Sequence, residues 1–197
     1  DETHTISEGI GGFTRKYNLE PDILVVGKPI GSGLPVAAYG FSEELAEAIE
    51  EKYPKPEEVD VLGIGTTLTG GAIAASAIRA TLENVLTEDA YAHMIAMAER
   101  FAAGVQSVID ENRLPWRVIR LGSRLEYLFD QTDPKNGTDV YEAFHDYELH
   151  TYIHLALLNE GIIITPFHNM ALMCPQTTKK DVDKHTEAFG RIIKRIL

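Results

Sequence analysis

Apolar residues fall along this chain in two rhythms, and the change of rhythm divides it. Ile23, Leu24, Val25 and Val26 form an unbroken apolar run, which predicts a strand covered on both faces. Residues 1–22 before it are polar, carry glycine and read as loop, with a turn at Glu20-Pro21-Asp22. Val36 to Phe41 reads as a second short strand, and Glu43 to Lys52 as an acidic helix behind a Ser42 N-cap. Pro54 and Pro56 break the chain, Gly63 to Gly71 is a Gly/Thr loop, and Ala72 to Leu86 is a helix rich in small residues. Thr87-Glu88-Asp89 reads as a helix start. From there the spacing turns helical: Met94, Met97, Phe101, Val105 and Val108 share one side of a helix that reaches about Asn112. Trp116–Leu121 and Arg124–Phe129 then read as strands around Gly122-Ser123, and Asp133 to Gly137 as a turn. Asp146–Asn159 is a helix that stops at Gly161. Ile162–Thr165 and Met170–Met173 read as strands. Asp181–Leu197 is a closing helix with its basic residues weighted toward the C-terminal end.

The order is α/β first and α+β second. The expected domains are residues 1–86 and 87–197. A formal net charge of −12 provides no basic stripe for phosphates, so nucleic acid is not an expected partner, nor is an anionic membrane surface. No apolar run is long enough to span a bilayer. The single Cys174 cannot form an internal disulfide, which makes a reducing cytoplasmic setting the default, and beside Leu172, Met173 and Pro175 it reads as a buried inert thiol. His150 and His154 stand at helical i, i+4 spacing near His145, but no third ligand is evident and no metal site is expected.

One residue does not fit a purely structural account. Lys28 follows the apolar strand directly, with Gly27 before it and Pro29-Ile30-Gly31-Ser32-Gly33-Leu34-Pro35 after it. A lysine there is either an edge residue that snorkels to water or a desolvated amine able to form a Schiff base with an aldehyde. Two further segments bear on the choice. Asp1-Glu2-Thr3-His4-Thr5 brings carboxylates, hydroxyls and an imidazole; alone, such acids are ordinarily solvated charge. Gly65-Thr66-Thr67-Leu68-Thr69-Gly70-Gly71 opens a helix. A pyridoxal phosphate site needs these types of part: a carboxylate for the pyridine nitrogen, a lysine for the aldehyde, and hydroxyls with backbone N–H groups for the phosphate.

These motifs resemble the class III (fold type I) pyridoxal-phosphate aminotransferases, in the flavour of glutamate-1-semialdehyde aminomutase and its aminotransferase relatives. Asp1-Glu2-Thr3 matches that family's Asp-Glu-Val pattern. Pro21-Asp22 through Gly27-Lys28-Pro29-Ile30-Gly31-Ser32-Gly33 matches its lysine motif, and Thr66-Thr67-Leu68-Thr69-Gly70-Gly71 its later Gly-Thr-Leu-Ser-Gly-Asn pattern. The resemblance implies the C-terminal part of a large domain with a mostly parallel sheet, followed by a small α+β domain. By position it implies that Lys28 forms the Schiff base with pyridoxal 5'-phosphate and moves the proton, Asp1 pairs with the pyridine N–H, Thr3 lies against the ring, and His4 sits near the cofactor hydroxyl. Thr67 or Thr66 would reach the phosphate of a neighbouring subunit, which requires a homodimer.

The implied reaction moves an amino group from an amine or amino acid to a keto acid or aldehyde. The alternatives are a glutamate-1-semialdehyde 2,1-aminomutase, or a non-catalytic fragment or scaffold that lacks its N-terminal half. Ser32 replaces one glycine of the family's triplet, and Gly71 its usual asparagine. The segment Pro166-Phe167-His168-Asn169-Met170-Ala171-Leu172 departs more: relatives that use 2-oxoglutarate often carry an arginine here and aminomutases a glutamate near Met170, and neither is present. His168 and Asn169 read either as lining a substrate mouth or as a polar turn. Asp1 stands where the family has the end of a strand, so the chain is expected to be one piece of a longer protein, without the half that carries the main phosphate loop.

Overall fold

A computed structural model of the chain describes residues 1–52, 64–65, 67–142, 146–166 and 168–197. These residues form two compact units, Asp1–Glu88 and Asp89–Leu197.

In the first unit a short helix α1 (Gly12–Lys16) precedes strand β1 (Ile23–Gly27), which pairs antiparallel with β2 (Ala37–Phe41). The register sets Val25 opposite Tyr39 and Gly27 opposite Ala37. A 3-10 turn over Lys28–Gly31 links the strands, and its Pro29 suits a helical first turn. The acidic helix α2 (Glu43–Lys52) follows, its Leu45 N–H donating to Ser42 Oγ as the N-cap reading requires. Helix α3 spans Ala72–Asn84. The expectation of a strand covered on both faces is not met among the described residues. Ile23 is 49% and Val25 37% exposed, because β2 is the one partner of β1 among the described residues and the pair has open faces.

In the second unit the 24-residue helix α4 (Glu88–Glu111) leads to β3 (Arg117–Leu121) and β4 (Arg124–Leu128), joined through Gly122 at φ +56. Helices α5 (Gly137–Glu142) and α6 (Tyr147–Asn159), strand β5 (Met170–Leu172) and helix α7 (Lys179–Ile196) complete it. The sheet order is β3-β4-β5, antiparallel throughout. The apolar side expected of α4 is buried, Met94, Met97, Phe101 and Val105 all lying under 6% exposure. Phe189 of α7 packs its ring 5.0 Å from that of Tyr127 on β4, and burial of side chains of this size contributes about 1.5–3 kcal/mol each. Helix α7 starts on a closed capping box, with Thr178 Oγ1 accepting from Asp181 N–H and the Asp181 carboxylate accepting from Thr178 N–H.

Three sequence expectations are corrected here. Ile162–Thr165 forms no strand, because no ladder partner meets it among the described residues. A short helix, α5, extends past the turn read at Asp133–Gly137, started by Asn136 Oδ1 accepting from Thr138 N–H. Cys174 is exposed rather than buried, with Sγ 3.4 Å from Thr177 Oγ1. No described helix is long and apolar enough to cross a membrane.

Candidate functional site

The site is organised by a buried carboxylate that the sequence reading passed over. Glu2 is 5% exposed, and its carboxylate accepts from Phe13 N–H (3.1 Å), Thr14 N–H (2.5 Å) and Thr5 Oγ1 (2.5 Å). Burial pushes its carboxyl up, but the hydrogen bonds from Thr14, Thr5 and Phe13 outweigh that and hold it below the usual glutamate range. Gly12 makes this approach possible: at φ +63, a Cβ there would stand 2.3 Å from Glu2 Oε2. The backbone of Glu2 is fixed as well, its N–H donating to Val25 O at 2.6 Å. That bond lays Asp1-Glu2-Thr3 along the end of β1.

Lys28 follows β1 immediately. It is exposed and adopts φ +50, a left-handed conformation uncommon for a residue with a Cβ. Backbone strain of this kind costs about 1 kcal/mol or more and tends to occur where function requires a side chain to be aimed. Here the conformation brings Lys28 Nζ to 2.8 Å from His4 Nε2. Of the two positions open to this lysine, exposed or desolvated, the described residues show it exposed. The strand ends at Gly27 and the turn carries the lysine outward onto a histidine.

Thr3 is half-buried beside the same strand end. A Cβ built on Gly27 would lie 3.8 Å from Thr3 Oγ1 and 3.4 Å from both Ala37 Cβ and Val36 O. Glycine at 27 thus leaves open the space between Thr3 and β2. Asp1 is exposed, and its Oδ1 accepts from Thr3 N–H at 2.7 Å.

The turn after Lys28 is tied to α3 through Ser32 Oγ and Thr81 Oγ1, 2.9 Å apart, with Ser32 also left-handed at φ +46. Ser32 therefore has a specific partner. The loop that opens α3 leans on β2 through a hydrogen bond from Tyr39 Oη to Ile64 O. Thr67 is exposed in that loop, and Thr66 lies outside the described residues. Asp1, Thr3, His4 and Lys28 are thus gathered at one strand end, and Thr67 is not brought to them by any hydrogen bond among the described residues. The only sequence signal for Glu2 was its place beside Asp1; burial and the Phe13 and Thr14 donors are set by the fold.

Of the predicted histidines, His150 is buried with its ring 4.5 Å from Phe129, and His145 lies outside the described residues. Among the described residues no three His, Cys, Asp or Glu side chains are grouped to hold a metal ion.

Comparison with known proteins adds to this geometry. The family model described as aminotransferase class-III matches residues 9–196. The chain is 31% identical over 182 residues to a glutamate-1-semialdehyde 2,1-aminomutase of Aquifex aeolicus, covering 92% of this chain and 40% of that one. It is 32% identical over 186 residues to an enzyme of that name in Thermus thermophilus, covering 93% and 42%. The crystal structure of a glutamate-1-semialdehyde-aminomutase from Pseudomonas aeruginosa PAO1 in complex with PMP superposes with a TM-score of 0.93 at 42% identity, over 100% of this chain and 44% of that one. The chain therefore spans about two fifths of the length of the proteins it matches.

Proposed function

Because the chain belongs to the class-III aminotransferase family, we propose that the protein it represents is a pyridoxal-phosphate-dependent aminotransferase, moving an amino group from an amine or amino acid to a keto acid or aldehyde. The observation that carries this reading is the pairing of Lys28 Nζ with His4 Nε2 at a strand end that also holds Asp1 and Thr3. We place the large-domain part at residues 1–86 and the small domain at 87–197, and read the working unit as a cytoplasmic homodimer.

The residues present fit the cofactor chemically. Lys28 offers a primary amine for its aldehyde, Asp1 a carboxylate for its pyridine nitrogen, and Thr3 a hydroxyl beside the space that Gly27 leaves open. When bound, pyridoxal phosphate supplies an electron sink conjugated to a carbonyl that an amine can enter. The protein's own part is proton handling and orientation. Lys28 Nζ carries the proton, and His4 Nε2 holds that amine at hydrogen-bond distance. With the ammonium donating, His4 presents Nε2 as acceptor and keeps its own proton on Nδ1. Glu2 fixes the strand-end segment from below through its backbone and side-chain bonds. Thr67, or Thr66, is the candidate for the phosphate of the neighbouring subunit.

The test is absorbance of the full-length protein with pyridoxal phosphate, before and after borohydride, followed by peptide mass mapping. A visible band that borohydride fixes covalently onto Lys28, and that Lys28→Ala lacks, is the expected result. A protein that stays colourless would overturn the reading in favour of a scaffold role. A second reading, a glutamate-1-semialdehyde 2,1-aminomutase, is supported by the names of the similar proteins. Turnover of the semialdehyde without any added amino acceptor would favour it.

A further inference from the structure

Helix α3 buries one residue among those described, and that residue is polar. Ile73 and Leu82 of this helix are exposed, while Thr81 is 2% exposed. A threonine inside a helix ordinarily faces solvent or bonds back to the carbonyl four residues before it. Thr81 instead sends its Oγ1 to within 2.9 Å of Ser32 Oγ, a residue 49 positions away. A buried hydroxyl is costly unless it is hydrogen-bonded, so this bond is what suits threonine rather than valine to the position.

Ser32 closes the turn that Lys28 opens. The two residues at its ends share a left-handed backbone, φ +50 at Lys28 and φ +46 at Ser32. Residues with a Cβ stay in that conformation where the groups around them over-determine it. Those groups can be named. Ile30, 1% exposed, anchors the middle of the turn. Ser32 N–H donates to Pro29 O at 3.3 Å, and Leu34 N–H to Gly31 O at 3.0 Å. A Cβ on Gly31 would collide with Val36 Cγ2, so the turn lies close against that side chain. These contacts are local to the turn, whereas the bond to Thr81 ties it to a separate helix that packs on it. Thr81 is itself fixed, its carbonyl accepting from Val85 N–H and Leu86 N–H, each at 3.0 Å.

We infer that Thr81 is a positioning residue: through Ser32 it anchors the turn that holds Lys28 Nζ against His4 Nε2, 2.8 Å away. The inference rests on the reading of Lys28 as the working amine. The link is mechanical. Releasing the Ser32 end lets the backbone relax toward an ordinary conformation, and the change reaches the Lys28 end of the same short turn. An exposed lysine side chain has many rotamers, so its amine stays on the histidine only while the backbone beneath it is fixed.

The test uses the full-length protein with Thr81→Val, Thr81→Ser, Ser32→Ala and the Thr81→Val/Ser32→Ala double variant. The first readout needs no cofactor. In spectra of protein labelled with 15N-histidine, Lys28→Met defines how the His4 Nε2 signal moves when the amine is lost. Thr81→Val is expected to move that signal in the same direction, and Thr81→Ser to restore the wild-type position. A His4 signal left in place by Thr81→Val overturns the inference. A signal left in place by Lys28→Met as well overturns the Lys28–His4 pairing together with it.

The second readout is the rate at which the apoprotein forms its visible band with added pyridoxal phosphate. Each single loss of hydroxyl is expected to slow it about tenfold, the scale of a modestly misaimed group. The double variant is expected to be no slower than the worse single one, because the two hydroxyls act as one bond. Wild-type rates in the variants, or losses that multiply in the double variant, overturn the inference. A wild type that forms no band counts against the aminotransferase reading alone, and the histidine spectra then decide the positioning role. Should circular dichroism show Thr81→Val unfolded, the exposed Ser32→Ala reads the same bond.

Discussion

Lys28 Nζ and His4 Nε2 stand 2.8 Å apart although 24 residues separate them, and the lysine adopts a left-handed backbone to reach that position. If His4 holds the working amine, His4→Gln, which retains a hydrogen-bonding side chain, is expected to keep most turnover. His4→Phe is expected to lose about a hundredfold in kcat, the scale of a mispositioned catalytic group. The pH–rate profile of His4→Phe should also shift, which a purely structural loss would not produce. Steady-state kinetics of both variants across pH checks this.

Glu2 yields a pH prediction of definite sign. Its carboxyl lies below the ordinary glutamate range in the folded protein, because hydrogen bonds from Thr14, Thr5 and Phe13 outweigh burial. The stabilisation is therefore fully present above the unfolded value of about 4.3 and lost as pH falls through the lowered folded value. Glu2→Gln is expected to destabilise by about 2 kcal/mol at neutral pH and to flatten that acid limb. Urea melts at several pH values measure both.

Much of the fold was legible because periodicity reports faces. The helical spacing of Met94, Phe101 and Val105 located the buried side of α4, and Gly122-Ser123 located the β3–β4 turn. What remained hidden were partnerships across the fold. Glu2 looked like solvated charge, and only its meeting with Phe13 and Thr14 shows it buried. Glu126 and Met170 became neighbours only through strand register. Ile162–Thr165 has strand composition without a ladder partner among the described residues, and composition does not report partners.

Tyr127 is fully buried, and its hydroxyl has no partner among the described residues. Burial drives its phenol upward accordingly. Removing an unsatisfied buried hydroxyl relieves a desolvation cost, so Tyr127→Phe is expected to stabilise the protein by about 1 kcal/mol. A higher denaturation midpoint with an unchanged m-value would confirm it, and a lower midpoint would refute it.

His185 is 2% exposed, its ring 4.2 Å from that of Phe101, and burial pushes its imidazole down to about 3. Unfolded, it would titrate near 6.5. The unfolded chain therefore binds the extra proton first, and stability contributed by neutral His185 declines as pH falls from about 6.5 toward 3. His185→Phe is expected to show a flatter stability curve than the wild type across that window, read from chemical denaturation at matched ionic strength.

The carboxylate of Glu2 draws its backbone donors from residues at most 12 positions away. Contacts that close so short a loop form on the timescale of tens to hundreds of nanoseconds, well ahead of strand pairing. The corner of the site can thus assemble as a local nucleus while β1 and β2 are still finding their register. Lys28 is then expected to arrive last, on a strand whose Val25 O accepts from Glu2 N–H of that corner. Time-resolved refolding would register this as early protection of the Phe13 and Thr14 amides.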